Sequence, residues 1–352
     1  MKLHADTTTT ACALHASDNE PMWRRNGALP YQVATALILA LLIWVVSSAR
    51  GAVNGVGTIT LTVENLEREV AFYTEVLPFE RVGENHDSGK ETEALFDLPG
   101  AHTRTVLLAL GRETIALREF VGLKGRPIPA DSRSFDHWFQ HIAIVVRDMD
   151  AAYAHLAKHR IRHVSTAPQT LPDWNPDAGG IKAFYFQDPE QHVLEIIWFP
   201  PGKGDPRWQE PADRLFLGID HTAIVVSDTE RSLAFYRDAL GLSVAGGAEN
   251  HGTEQEHLNQ VFGARLRITA LRAAKGPGIE FLEYITPPGG RPLFADARAN
   301  DLVAWTVDLN AANVPAIDPA IVAAGGRTVS RRGAFSRRLV RDLDGHLLLL
   351  AP

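Results

Sequence analysis

The chain has 352 residues, 45% hydrophobic and 22% charged, with a formal net charge of -7. That length suits about two ordinary domains with cores of their own, and the composition excludes a disordered or fibrous chain. The acidic balance argues against a nucleic-acid binder, which needs clustered Lys and Arg against phosphate. A single cysteine, Cys12, excludes a disulfide framework or a thiolate metal site in the folded part.

Residues 1–21 are polar and Thr-rich. From Met22 onward, Arg24 and Arg25 precede an apolar run from Val33 to Val46, followed by the small residues Ser47, Ser48 and Ala49. A basic start, a short apolar run and a small-residue cleavage site are the parts of a secretory signal peptide. The expectation for residues 1–54 is therefore a polar N-terminus plus signal peptide, with translation starting at Met22 and the mature protein exported to a periplasm. The alternative is a membrane anchor over residues 31–48, and membrane contact is expected only through this segment if it stays uncleaved.

Beyond Asn54 the chain repeats itself. ITLTVENLEREVAFYTEVLPF at 59–79 aligns with TAIVVSDTERSLAFYRDALGL at 222–242. A second kind of unit lies between and after these: HIAIVVRDMDAAYAHL at 141–156 resembles LVAWTVDLNAANV at 302–314, and DPEQHVLEII at 188–197 resembles DLDGHLLLLA at 342–351. Internal repeats set the architecture before any local reading does. They divide the chain into module 1 (55–135), module 2 (136–200), module 3 (215–288) and module 4 (300–352), joined by Pro- and Gly-rich stretches.

Each module opens with a β-branched strand that runs into an Asp or Asn turn. A helix follows, with an apolar face at Val70, Tyr73 and Leu77 in module 1 and at Leu233, Tyr236 and Leu240 in module 3. About three strands come next. The pattern is βαβββ, an α+β class. A sheet with one helix leaves its other face open, so modules must pair, and the helix-free concave side is where a ligand is enclosed.

The strands of the inner modules carry His141, Glu195, His221 and Glu280. Two imidazoles and two carboxylates are a donor set for one divalent ion. Other residues read as structure. His192 and His346 precede the last strand of both even modules and suit a turn, and His86 and His251 recur in both odd modules. Trp174 is placed at the border of the cavity. The basic cluster Arg331, Arg332, Arg337 and Arg338 reads as a solvated hairpin.

Tandem βαβββ modules, a strand beginning with His, the helix ending AFYRDALGL and the pattern DP-x-x-H-x-x-E over Asp188 to Glu195 resemble the vicinal oxygen chelate superfamily. That superfamily includes glyoxalase I, methylmalonyl-CoA epimerase, extradiol dioxygenases and bleomycin-resistance proteins. The resemblance covers about residues 55–351 and implies one metal ligand in the first strand of a module and another, usually Glu, in its last. Carried over, it gives Thr58 and Ala116 in module 1 and Leu302 and Leu349 in module 4, which are no ligands. It gives His141, Glu195, His221 and Glu280 in modules 2 and 3. One intact site requires modules 2 and 3 to pair, and modules 1 and 4, forming two glyoxalase-like domains. Glu280 is preferred to Glu283, because module 1 keeps Glu119 opposite Glu283 while losing Glu280's match.

The resemblance further implies a divalent metal (Zn, Ni, Co, Mn or Fe) acting as a Lewis acid on a small oxygenated substrate, with enediolate stabilisation and Glu280 or Glu195 as the proton-shuttling base. The expected function is a metal-dependent lyase or isomerase. The alternatives are an extradiol-type ring-cleaving dioxygenase and a small-molecule binding protein without chemistry. Export disfavours a glutathione-linked role, since that cosubstrate is mainly cytoplasmic.

Overall fold

The structure is a computed structural model describing residues 53–331 and 336–352. Module 1 supplies β1 (Val53–Val63), β2 (Glu80–Asp87), β3 (Thr103–Leu110) and β4 (Glu113–Phe120). Module 2 supplies β5 (Gln140–Val146), the short β6 (Arg162–His163) and β7 (Gln169–Thr170), then β8 (Lys182–Gln187) and β9 (Val193–Trp198). Module 3 supplies β10 (Phe216–Val225), β11 (Ser243–His251), β12 (Arg265–Arg272) and β13 (Gly278–Thr286). Module 4 supplies β14 (Trp305–Ala311), the short β15 (Arg327–Thr328), β16 (Arg338–Arg341) and β17 (Leu347–Ala351).

Two sheets result. One runs β15-β16-β17-β14-β1-β4-β3-β2, and the other β11-β12-β13-β10-β5-β9-β8-β6, with β7 beside β8. Modules 1 and 4 thus share a sheet, as do modules 2 and 3, through antiparallel seams between β1 and β14 and between β5 and β10. This is the pairing expected from the distribution of His and Glu.

The Asp and Asn turns seen in sequence cap the first helix of every module. Asn65, Asp148, Asp228 and Asn313 each accept a hydrogen bond from the backbone N–H three residues on. Such a cap satisfies one of the amide groups a helix start leaves open and is worth about 1 kcal/mol.

The helix-side cores follow a different pairing from the sheets. Tyr73 from helix Leu66–Glu75 of module 1 and Leu77 just beyond it pack into one buried cluster with Ile144, Leu156 and Phe184 of module 2. Phe235, Tyr236 and Leu240 of module 3 pack with Ile317, Ile321 and Leu350 of module 4. Each such side chain contributes roughly 1.5–3 kcal/mol on full burial. Sheets join modules 1 to 4 and 2 to 3; cores join 1 to 2 and 3 to 4.

Polar staples reinforce the second pairing. The Tyr73 hydroxyl donates to Asp188 (3.2 Å), whose carboxylate also accepts from His192 (2.8 Å). The same triad recurs as Tyr236, Asp342 and His346 at 3.0 and 2.8 Å. His192 and His346 are turn residues, as their presence in both even modules indicates.

Residues 1–52, where the signal peptide was placed, lie outside the described residues. Among the described residues no helix is long and apolar enough to cross a membrane.

Candidate metal centre

Strand register gathers the four residues. Across the seam His141 of β5 lies opposite Ala223 of β10, and Ala223 lies opposite Glu280 of β13. One row further along, His221 lies opposite Ala143, which lies opposite Glu195 of β9. Paired residues, and residues two apart on one strand, share a face of the sheet. All four side chains therefore rise from the same face. Ala143 and Ala223, both fully buried, form the floor between them.

His141 Nε2 is 3.1 Å from Glu195 Oε2, and His221 Nε2 is 3.7 Å from the same oxygen. One donor atom from each of His141, Glu195 and His221 lies within 4.8 Å of the other two. Glu280 approaches from the other side, its Oε1 3.6 Å from His221 Nε2, outside that group of three. Both ring nitrogens of His141 and Nε2 of His221 are buried and make no hydrogen bond. Orphaned nitrogens are rare in protein interiors, because each forfeits its hydration. The two Nε2 atoms face Glu195, and that of His221 also faces Glu280, a donor set that fits a divalent ion.

The sequence pattern did not single out Asp220. Strand alternation puts it on the opposite face from His221, but a bulge in β10 between Ile219 and His221 turns it back. Its Oδ2 lies 3.0 Å from His221 Nδ1 and 2.9 Å from Arg272 Nη2, and its Oδ1 accepts from Trp208 Nε1 at 2.9 Å. A carboxylate only accepts, so Nδ1 carries a hydrogen and Nε2 is left facing Glu195 and Glu280. His141 has no such partner.

Electrostatics follow. Burial disfavours the His221 imidazolium, but the carboxylates of Glu280, Asp220 and Glu195 outweigh it and raise the ring to about 9. Burial opposes ionisation of Asp220, yet hydrogen bonds from His221 and Trp208 and the Arg272 charge hold it below the usual carboxylate range. Glu280 is raised by burial and by Glu195, with the imidazoles opposing. Burial and Glu195 push the Tyr185 phenol up.

A cavity of about 360 Å³ opens from Glu195, His221 and Glu280. Loop residues Leu171, Asp177 and Ala178 of module 2 line one side, and Asn250 of β11 lines the other. Trp174 stacks on His251 with ring centroids 4.3 Å apart, and Asn175 Nδ2 donates to Asn250 Oδ1 at 2.7 Å. Trp174, which does not itself line the cavity, ties its loop to β11.

The other sheet has no such site among its described residues. Register against Thr60 identifies Thr306, not Leu302, as the match of His141. Leu302 lies three residues ahead of β14. With Thr58, Ala116 and Leu349 the module 1 and 4 positions still hold no ligand. The basic cluster is partly engaged: Arg331 pairs with Asp97, and Arg337 lies 3.8 Å from Glu91. Arg338 lies 3.5 Å from Asp318, and Arg332 is outside the described residues.

The sheet topology and the two-imidazole, two-carboxylate floor define a class of tandem βαβββ proteins built around one concave site. The family model of the Glyoxalase/Bleomycin resistance protein/Dioxygenase superfamily matches residues 55–196 and 218–350, and the chain belongs to that superfamily. Glyoxalase I from Zea mays is 16% identical with a TM-score of 0.53, covering 85% of this chain and 92% of that one. A point mutant of the same maize enzyme is 15% identical with a TM-score of 0.56, at 88% and 95% coverage. A putative dioxygenase from Bacillus subtilis is 16% identical with a TM-score of 0.53, at 86% of each chain. These likenesses carry the fold. No curated protein matches the chain.

Proposed function

We propose that His141, Glu195, His221 and Glu280 hold a divalent metal, and that the protein is a metal-dependent lyase or isomerase acting on a small oxygenated substrate. The observation that carries this reading is the pair of buried, unpartnered Nε2 atoms of His141 and His221 facing Glu195, that of His221 also facing Glu280. A bound divalent ion supplies Lewis-acid polarisation of substrate oxygens. Glu195, nearly buried and close to both imidazoles, is the positioning carboxylate. Glu280 is the more exposed of the two and has one imidazole contact, so it is the group to take a proton from a substrate carbon and return it to the neighbouring one. Asp220 holds the His221 ring in orientation, and the cavity walls keep bulk water from the carbanionic centre.

The test is solvent deuterium exchange into 2-hydroxy ketones and the hydrates of 2-oxo aldehydes by the metal-loaded protein. Exchange lost in Glu280→Gln with metal content kept supports the assignment; undiminished exchange contradicts it. One observation favours a second reading: the three residues that meet most closely are two His and one carboxylate, a set suited to Fe(II) and O₂ chemistry. Oxygen uptake with catechols by the iron-loaded protein, unaffected by Glu280→Gln, selects that reading. Export is proposed from the N-terminal sequence alone, and sequencing the mature N-terminus tests it.

A further inference from the structure

We infer that the ligand of this cavity is a small molecule with an apolar body and one oxygen-bearing head, and that polyanionic ligands are excluded. The inference rests on the proposed metal site for the position of the head; the body is read from the rest of the cavity.

Beyond the His and Glu base, both modules supply an apolar wall. Leu171, Ile197 and Phe199 come from module 2, and Leu258, Leu266 and Ile268 from module 3. The volume, about 360 Å³, falls in the range of pockets that enclose small organic molecules. An apolar chain entering it leaves water for a wall of the same character, and each buried methylene strengthens binding.

Charge gives the second half of the argument. The described lining holds five acids, Asp177, Glu195, Asp205, Asp220 and Glu280, against one Lys or Arg, Arg272. Arg272 is already committed: Nη1 donates to the Asp220 carbonyl at 2.8 Å and Nη2 to its carboxylate at 2.9 Å. It also lies against the Cα of Gly278, where a Cβ would sit 2.9 Å from Cζ. A divalent ion at the base balances Glu195 and Glu280, and Arg272 balances Asp220. Asp177 and Asp205 are exposed at the rim, Asp205 with its Oδ2 3.7 Å from Arg207 Nε. Lys203 stands outside the lining, its ammonium on the carbonyls of Pro176 and Asp177. A ligand with several carboxylates or phosphates meets a lining of five acids and finds no uncommitted Lys or Arg in it.

The experiment is calorimetric titration of the zinc-loaded full chain with acetohydroxamate, octanohydroxamate and S-hexylglutathione. The two hydroxamates share one metal-seeking head and differ only in the apolar body. S-hexylglutathione presents an alkyl group on a peptide with two carboxylates. Octanohydroxamate is expected to bind at least tenfold tighter than acetohydroxamate, and S-hexylglutathione at least tenfold weaker than octanohydroxamate. Ile268→Asp is expected to remove the advantage of the octanoyl chain with zinc content unchanged. Equal affinities of the two hydroxamates, or S-hexylglutathione binding as tightly as octanohydroxamate, would overturn the inference. A metal-independent arm separates this from failure of the metal site: the neutral fluorophore N-phenyl-1-naphthylamine is expected to bind wild type and the His141→Ala, His221→Ala double variant alike, and to be lost in Ile268→Asp. Absence of fluorophore binding to wild type overturns the apolar body whatever the metal result.

Discussion

Asp220 shows how one residue can govern a candidate ligand it precedes. By holding His221 Nδ1 at 3.0 Å it fixes which nitrogen faces the carboxylates. Asp220→Asn is expected to weaken metal affinity about 10–100-fold, the usual effect of losing an outer-shell carboxylate. Chelator competition measures it; an unchanged affinity would remove Asp220 from the site. The sequence hid this residue because its orientation depends on a bulge, and a period of two places it on the other face. The four ligand candidates were legible because they recur at matching positions of repeated units.

A second buried acid makes a different prediction. Glu69 is fully buried, neither oxygen accepts a hydrogen bond, and burial with the nearby Asp188 and Glu190 charges raises it to about 10. A carboxyl whose folded pKa lies above its unfolded one stabilises most below the unfolded value, near 4.5, and loses that contribution as pH rises towards 10. Glu69→Gln is therefore expected to flatten the fall in Tm between about pH 5 and 9 and to raise Tm at the alkaline end, by about 1 kcal/mol or more of stability. A parallel, unshifted pH profile would contradict it. Module 3 carries Ser232 at the matching position, so the acid is no requirement of the fold.

At the level of elements, the site depends on small residues between large ones. Ala143 and Ala223 sit in the two rows that carry the candidate ligands, on the two seam strands. Ala223→Leu is expected to fill the floor and reduce metal content to near background, with overpacking costing about 1–3 kcal/mol and far-UV circular dichroism unchanged. Retained stoichiometric metal would show that the floor is not part of the site. The first helix of each module was legible because an Asp or Asn cap stands at its start. The start of β14 was not: LVAWTV is apolar apart from Thr306, and Asp308, Asn310 and Asn313 all stand where the cap belongs. The true cap, Asn313, shifts the His141 match from Leu302 to Thr306.

On the scale of the molecule, sheets and cores pair different modules, so neither half closes alone. The pairing of sheets was legible because only one arrangement unites the ligands. The joining of modules 1 and 2 through their helices was not, since no repeat marks which helix meets which. The fragment 136–288 contains the entire candidate site, yet it exposes Ile144, Leu156 and Phe184, which module 1 covers. It is expected to lack a cooperative thermal transition while the full chain shows one; a sharp transition in the fragment would contradict the shared core.

The central claim is that modules 2 and 3 pair in order to build one metal centre. Elemental analysis of the purified protein, wild type beside the His141→Ala, His221→Ala double variant, tests it most directly. The account predicts about one divalent ion per wild-type chain and almost none in the double variant, with both folded. Equal metal content in the two proteins, or none in wild type after loading with zinc, nickel, cobalt, manganese and iron in turn, would contradict it.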